Sequence, residues 1–203
     1  YFAASSELFG NVSSYPQNEN TKFNPRSAYG ISKVAGYYLT KNYREAYNLF
    51  ACSGILFNHE SPRRSVNFVS RKITHNLSLI LSNKKKKIEL GNINSKRDWG
   101  HAKDYVYAMW KMLQLKKPQD FVIGTGKLHS VKDFLNIAFN YVNLDYKKYI
   151  KINKKFYRPY DKFYLLADTK KAKKTLKWRP KISFKSLVID MVKKDLLTIK
   201  KND

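Results

Sequence analysis

Acidic residues are scarce in this chain: 15 Asp and Glu stand against 40 Lys and Arg in 203 residues, a formal net charge of +25. Such a charge excludes no fold, but it draws anionic partners by long-range attraction. Cysteine is nearly absent as well. The lone Cys52 excludes an internal disulfide framework and fits a reducing compartment, so we expect a cytoplasmic setting. No apolar run approaches the roughly 20 residues that span a bilayer, and no membrane partner is expected. A G-x-G-x-x-G loop is missing too. The nearest stretch, Gly124-Thr125-Gly126, lacks the third glycine, so a strand–turn–helix cradle for a pyrophosphate is not expected within these residues. The opening Tyr1-Phe2-Ala3-Ala4 reads as the tail of a strand, and we therefore expect a segment ahead of it.

What is present is enough for a packed core: 43% hydrophobic residues, with 15 Tyr, 12 Phe and 3 Trp. That composition argues against disorder. The lysines are spread along the chain, with one run at Lys84 to Lys87 and others near 147–155, 170–177 and the tail. Neither an aromatic-interleaved RNA-binding signature nor zinc-ligand spacing accompanies them. We read them as a solvated surface and expect no nucleic-acid partner. The rival, a basic nucleic-acid-binding protein, predicts strongly salt-dependent retention on DNA.

Apolar runs separated by helical periodicity predict an α/β fold with a parallel sheet. Polar Asn11 to Pro25 reads as a surface loop. Pro25-Arg26-Ser27 then opens a helix to about Leu49, with Ser27 as its cap. An apolar strand over 50–57 follows, then a helix over 67–81 and a short strand at Ile88-Glu89-Leu90. Residues 104–115 have helical spacing, 121–123 form a strand, and Ser130 caps the next helix. A small helix after Thr169 and a last one near 186–197 complete the pattern. Residues 1–145 read as the main domain, with some segments of the second lobe interleaved, and residues 146–203 as a smaller α/β lobe. No internal repeat or low-complexity linker interrupts them.

Tyr29-Gly30-Ile31-Ser32-Lys33 places a phenol and an ammonium on one helical face. A cation beside a phenol favours the phenolate and lets it act as a base. Alone the pair is weak, since a chain this rich in Tyr and Lys contains such spacings by chance. Ser5-Ser6-Glu7, at the mouth of a strand, adds a hydroxyl and a carboxylate within one turn. Its plainer reading is an ordinary cap for the following turn. Taken together, the two groups resemble the active site of short-chain dehydrogenase/reductases. In the extended branch of that superfamily, sugar epimerases are similar but lack the Glu that sugar dehydratases carry.

Two longer stretches narrow the resemblance. They are Gly54-Ile55-Leu56-Phe57-Asn58-His59-Glu60-Ser61-Pro62-Arg63-Arg64 and Lys96-Arg97-Asp98-Trp99-Gly100-His101-Ala102-Lys103-Asp104-Tyr105. Both are similar, nearly residue for residue, to the GDP-mannose 4,6-dehydratase family, as are Arg44 to Phe50, Asp120 to Ile123 and Tyr157-Arg158-Pro159. The resemblance implies the C-terminal part of a doubly wound, Rossmann-type parallel sheet plus a smaller α/β substrate-binding lobe. By position it implies an acid at Ser5 and a base at Glu7, with Tyr29 and Lys33 as the oxidation pair. Dinucleotide contacts would fall on Tyr29, Lys33, His59 and Arg64, and nucleotide-sugar contacts on Asn58, Lys72, Arg97 and Arg158. Arginines suit a diphosphate because the guanidinium forks phosphate oxygens.

The implied activity converts GDP-mannose to GDP-4-keto-6-deoxymannose by internal redox and loss of water. NADP is the implied cofactor, GDP-mannose the partner, and a homo-oligomer the state. The alternatives are another nucleotide-sugar dehydratase or epimerase, and an inactive fragment serving as a binding module. Three departures from the family pattern stand out. Ser5 replaces the usual Thr, Asp161 stands where Glu is usual, and the stretch between Asn143 and Phe156 is shorter, which bears on substrate affinity more than on chemistry.

Overall fold

The computed structural model describes residues 1–12, 14–157 and 164–200. In chain order its elements are β1 (Phe2–Ser5), α1 (Ala28–Tyr47), β2 (Ser53–Leu56), β3 (Asn58–Glu60), α2 (Val69–Leu81), β4 (Ile88–Leu90), β5 (Lys96–His101), α3 (Ala102–Leu113), β6 (Phe121–Ile123), β7 (Leu128–Ser130), α4 (Val131–Asn140), β8 (Ile150–Ile152), α5 (Lys170–Thr175) and α6 (Phe184–Lys200). They gather into two compact units. The first holds residues 1–59, 97–128 and 162–181, and the second holds 60–96, 129–161 and 182–203. The chain passes between units inside β3, β5 and β7. The division near Tyr146 read from the sequence falls within the second unit.

In the first unit β1, β2 and β6 form a parallel sheet in that order, with Ala4, Ile55 and Val122 in one register row and Ser5, Leu56 and Ile123 in the next. Successive side chains of a strand point to opposite faces. Ala4, Ile55 and Val122 accordingly join Leu8, Phe9 and Phe57 on one face, flanked by Val34 and Tyr37 of α1. Leu56, Phe121 and Ile123 join Tyr105, Ala108 and Met112 of α3, Ala172 of α5, and Trp178 on the other. A sheet covered by helices on both faces explains the near-continuous apolar runs of its strands. This is the doubly wound α/β arrangement the sequence implied.

Helix α1 begins as expected. The Ser27 side chain accepts from the Gly30 N–H at 3.0 Å, and Asn48, left-handed at φ 51°, ends the helix. Its last turn is tied to the sheet by Arg44, whose guanidinium forks Asp120 with two 2.9 Å hydrogen bonds, while the Ser53 N–H donates to the same carboxylate at 2.7 Å. Burial pushes the Asp120 carboxyl up, but these donors and the Tyr37 hydroxyl outweigh it and hold it below its ordinary value. A carboxyl lowered in this way contributes stability above its unfolded value, near about 3.9, and that stability is lost as pH falls through the folded value. Denaturant unfolding of wild type and Asp120→Asn should therefore differ at neutral pH and converge below about pH 4. Parallel stability profiles across that window would contradict the role given to Asp120.

The segment expected as a surface loop is one, its described residues exposed or half-buried except for Gln17. Gln17 is fully buried; its backbone pairs with Leu166 and Asp168, and its side-chain oxygen accepts from the Leu166 N–H at 2.7 Å. Glu19 accepts the Val122 N–H of β6 at 2.8 Å. Gln17 and Glu19 thus satisfy backbone groups of the first unit from within this loop, which polarity alone could not reveal.

The second unit is also α/β. β4 and β8 pair in parallel, Ile88 opposite Ile150 and Leu90 opposite Ile152. Ile73, Leu77 and Ile80 of α2, Phe134, Leu135 and Ala138 of α4, and Leu187, Val188, Met191 and Val192 of α6 are buried at helical spacing. Ser130 caps α4 in a reciprocal box with Asp133. The strands β3, β5, β7 and β8 were not among the expected elements: they are short or polar, and the three residues of β8 are too few for alternation to register.

Candidate active site

The C-terminal end of β1 runs directly into a 3-10 turn, Ser6–Leu8. Ser5 caps that turn: its Oγ accepts the Glu7 N–H at 3.3 Å. Accepting through a lone pair leaves the hydroxyl proton to be donated elsewhere. The capping reading and the chemical reading of Ser5 are therefore compatible. Glu7 follows, half-buried, in the first position that β1 and the turn together fix.

The first turn of α1 is brought against this strand end by Gly30, the buried residue of the helix. A Cβ on Gly30 would lie 2.8 Å from the Glu7 carbonyl oxygen and 3.1 Å from Pro25 Cβ. Any larger residue at position 30 would push the helix away from Glu7. Lys33 is fixed from the other side: its Nζ donates to the Ala3 carbonyl of β1 at 3.0 Å. From there the ammonium sits 5.4 Å from the ring centroids of both Tyr29 and Phe2, within cation–π range. Tyr29 itself is 54% exposed, so its ring is open to a reactant. The structure thus brings Ser5, Glu7, Tyr29 and Lys33 together at one end of β1.

Asn58, His59 and Arg97 also belong to the first unit. Asn58 and Arg97 are half-buried on β3 and β5. The His59 ring stacks on Tyr105, centroids 4.9 Å apart, and its Nδ1 lies 2.9 Å from the Phe57 carbonyl. Next to Arg97, the buried carboxylate of Asp98 accepts from the Thr125 and Gly126 N–H groups at 2.8 and 2.9 Å, from the Thr125 hydroxyl at 2.6 Å and from the Ala167 N–H at 3.2 Å. Burial still pushes its carboxyl above the ordinary range, with these bonds pulling the other way. The Thr125 and Gly126 amides are consequently engaged by a side chain of the same unit.

Arg64 and Lys72 lie in the second unit. The Arg64 guanidinium lies over the Phe68 ring at 3.5 Å and pairs with Glu60 at 3.3 Å. Glu60 is buried and accepts from Ser70 Oγ at 2.7 Å; burial pushes its carboxyl up against the pull of Arg64 and Ser70. Lys72 Nζ sits 3.8 Å from the Phe156 ring centroid. Burial and Lys85 lower its ammonium from the usual value, with Glu89 opposing. Arg158 and Asp161 lie outside the described residues. A cavity of about 350 Å³ lined by Asn18, Glu19, Asn20, Asp168, Lys170 and Lys171 shares no residue with the site.

Sequence reasoning missed the residues that hold others in place: Gly30, Asp98, Glu60 and Arg71. Glu60 and Asp98 stand inside the two long motifs, so only their neighbours' assigned roles drew attention away. For Asp120 the partner is 76 positions distant, and no local pattern announces it.

The family model described as GDP-mannose 4,6 dehydratase matches residues 1–191. GDP-mannose 4,6 dehydratase 1 of Arabidopsis thaliana is 53% identical over 196 residues, covering 97% of this chain and 54% of that protein. The Dictyostelium discoideum and Homo sapiens enzymes are 48% and 45% identical over the whole chain, of which it covers 62% and 59%. The chain therefore spans little more than half the length of these relatives. Among solved structures, RMD from Pseudomonas aeruginosa complexed with NADPH superposes with a TM-score of 0.89 at 16% identity, over 97% of this chain and 66% of that one. The dTDP-glucose 4,6-dehydratase of Bacillus anthracis in complex with NAD gives 0.83 at 19%, over 99% and 61%. These likenesses show the Rossmann-type fold. The family match, running through both units and across the Ser5, Glu7, Tyr29 and Lys33 cluster, places this chain in the GDP-mannose 4,6-dehydratase family.

Proposed function

We propose that the chain carries the catalytic and substrate-binding part of a hydro-lyase that converts GDP-mannose to GDP-4-keto-6-deoxymannose. The observation that carries this reading is the junction of Ser5 and Glu7 at the end of β1 with the Tyr29–Lys33 pair, drawn close by Gly30. The residues fit the reactive end of a nicotinamide dinucleotide, because Lys33 is anchored beside an accessible Tyr29. A pyrophosphate cradle is not found among the described residues. The dinucleotide, which we take to be NADP, supplies a reversible hydride acceptor when bound. Tyr29, Lys33, His59 and Arg64 would hold it, and Asn58, Lys72, Arg97 and Arg158 would hold the nucleotide-sugar.

The protein's own work is orientation and proton transfer. Tyr29 takes the C4 hydroxyl proton, and Lys33 stabilises the resulting charge. The C4 ketone acidifies the C5 proton, which Glu7 removes. Ser5 donates toward the departing C6 hydroxyl, so water leaves across C5–C6; the hydride taken from C4 would then return to C6 while Glu7 gives a proton back to C5, and the sugar ends with no net change in oxidation state. The carboxylate separates this reading from an epimerase, which needs no second base. A cytoplasmic location belongs to the same proposal, supported by the buried lone thiol of Cys52.

By itself this chain is expected not to turn over GDP-mannose, since nothing among its described residues cradles a pyrophosphate, whereas a full-length dehydratase carrying its sequence should. Both are assayed with NADP⁺ and GDP-mannose. Turnover by the 203-residue chain would contradict the account of the missing cradle, and inactivity of the full-length protein would overturn the proposed function.

A homo-oligomer is part of the proposal. In the first unit α1 exposes Ile31, Tyr38, Leu39 and Tyr43. Apolar surface of this kind marks an interface, and we place a second copy on it. Sedimentation of the full-length protein should show at least a dimer, and Tyr38→Glu should dissociate it. A monomer at micromolar concentration would contradict this placement.

A further inference from the structure

Within the second unit, one guanidinium grips the loop that carries Arg64. Arg71, on α2, donates from Nη1 to the carbonyls of Pro62 and Arg64 at 2.6 and 2.8 Å. Its other donors are taken by Asp195 of α6, Nη2 to Oδ1 at 2.6 Å and Nε to Oδ2 at 3.1 Å. Asp195 is 2% exposed and also accepts from the Thr74 hydroxyl at 2.6 Å. A carboxylate so deeply buried is tolerable only when fully paired, and here each of its oxygens is. The Arg64 side chain is held separately, over Phe68 and against Glu60.

We infer that Asp195 and Arg71 are a pair of positioning residues for Arg64. The bidentate fork orients the guanidinium plane, which leaves Nη1 aimed at two carbonyls flanking the Ser61–Arg64 turn, itself closed by the Arg64 N–H on the Ser61 carbonyl at 3.0 Å. Backbone at Pro62 and Arg64 is thereby fixed by Arg71, itself oriented by a carboxylate 124 positions further along the chain. Lysine could not substitute at position 71, because a single ammonium cannot fork the carboxylate and reach both carbonyls. The inference rests on the reading of Arg64 as a dinucleotide contact.

The test uses a full-length dehydratase carrying this sequence, with Asp195→Asn, Arg71→Lys, Arg64→Met, and Val192→Ala as a control for simple loss of packing in α6. NADP⁺ dissociation constants, the GDP-mannose KM, and amide hydrogen exchange at Arg63 and Arg64 are measured for each. Asp195→Asn and Arg71→Lys should each weaken NADP⁺ binding about tenfold and speed exchange at the turn, with the KM little changed. Val192→Ala should lower the melting temperature without either effect. If Arg64→Met weakens NADP⁺ binding but Asp195→Asn alters neither affinity nor exchange beyond the Val192→Ala control, the positioning role is overturned. If Arg64→Met leaves NADP⁺ affinity unchanged, the reading of Arg64 fails and the functional part of the inference falls with it.

Discussion

Glu7→Gln in a full-length dehydratase is expected to spare oxidation at C4 and abolish loss of water. In the proposed mechanism Tyr29 and Glu7 serve different protons, and they are fixed by different elements, the one by α1 and the other by the turn that Ser5 caps at the end of β1. An amide cannot take the C5 proton, yet it keeps the size of the carboxylate and leaves the backbone carbonyl that Gly30 approaches untouched. Loss of a general base costs about a hundred- to ten-thousand-fold in rate. In a single turnover the variant should form reduced dinucleotide and stall before the 6-deoxy product. Product formation at the wild-type rate would remove Glu7 from the mechanism, and with it the feature that distinguishes a dehydratase from an epimerase.

Tyr29→Phe should act one step earlier. Without the phenolic oxygen the C4 hydroxyl has no base, although Phe retains the ring over which the Lys33 ammonium sits. Reduced dinucleotide should then fail to accumulate, and overall turnover should fall by about a hundred- to ten-thousand-fold, or about 3–5 kcal/mol in the barrier. Because the Lys33–Ala3 bond does not involve the Tyr29 oxygen, the melting temperature should change little. Reduced dinucleotide formed at the normal rate would show that another group takes this proton.

Local chemistry was legible in the sequence. Ser27, Ser130 and the Tyr29–Lys33 spacing announce their helices because caps and helical faces are decided within a few residues. The doubly wound layering was implied by the family resemblance, and the side-chain alternation along β1, β2 and β6 accounts for it. What escaped was long-range. Gln17 and Glu19 read as solvent-facing polar residues, yet they accept from backbone N–H groups more than 100 positions away, those of Leu166 and of Val122 in β6. The interleaving of the two units depends on which helices share a core, and α2, α4 and α6 each present an apolar face that local periodicity cannot assign to a partner. The candidate site divides in the same way: the roles of Ser5, Glu7, Tyr29 and Lys33 were implied by the family resemblance, while the contacts of Gly30 and Asp98 are ones that only the folded chain defines.

The most direct measurement is the fate of GDP-mannose in deuterated water, with NADP⁺ and a full-length dehydratase carrying this sequence, followed by NMR. The account predicts GDP-4-keto-6-deoxymannose bearing solvent-derived deuterium at C5, because Glu7 exchanges that proton before it is replaced. A C4 epimer that retains its C6 hydroxyl and carries no label would contradict it.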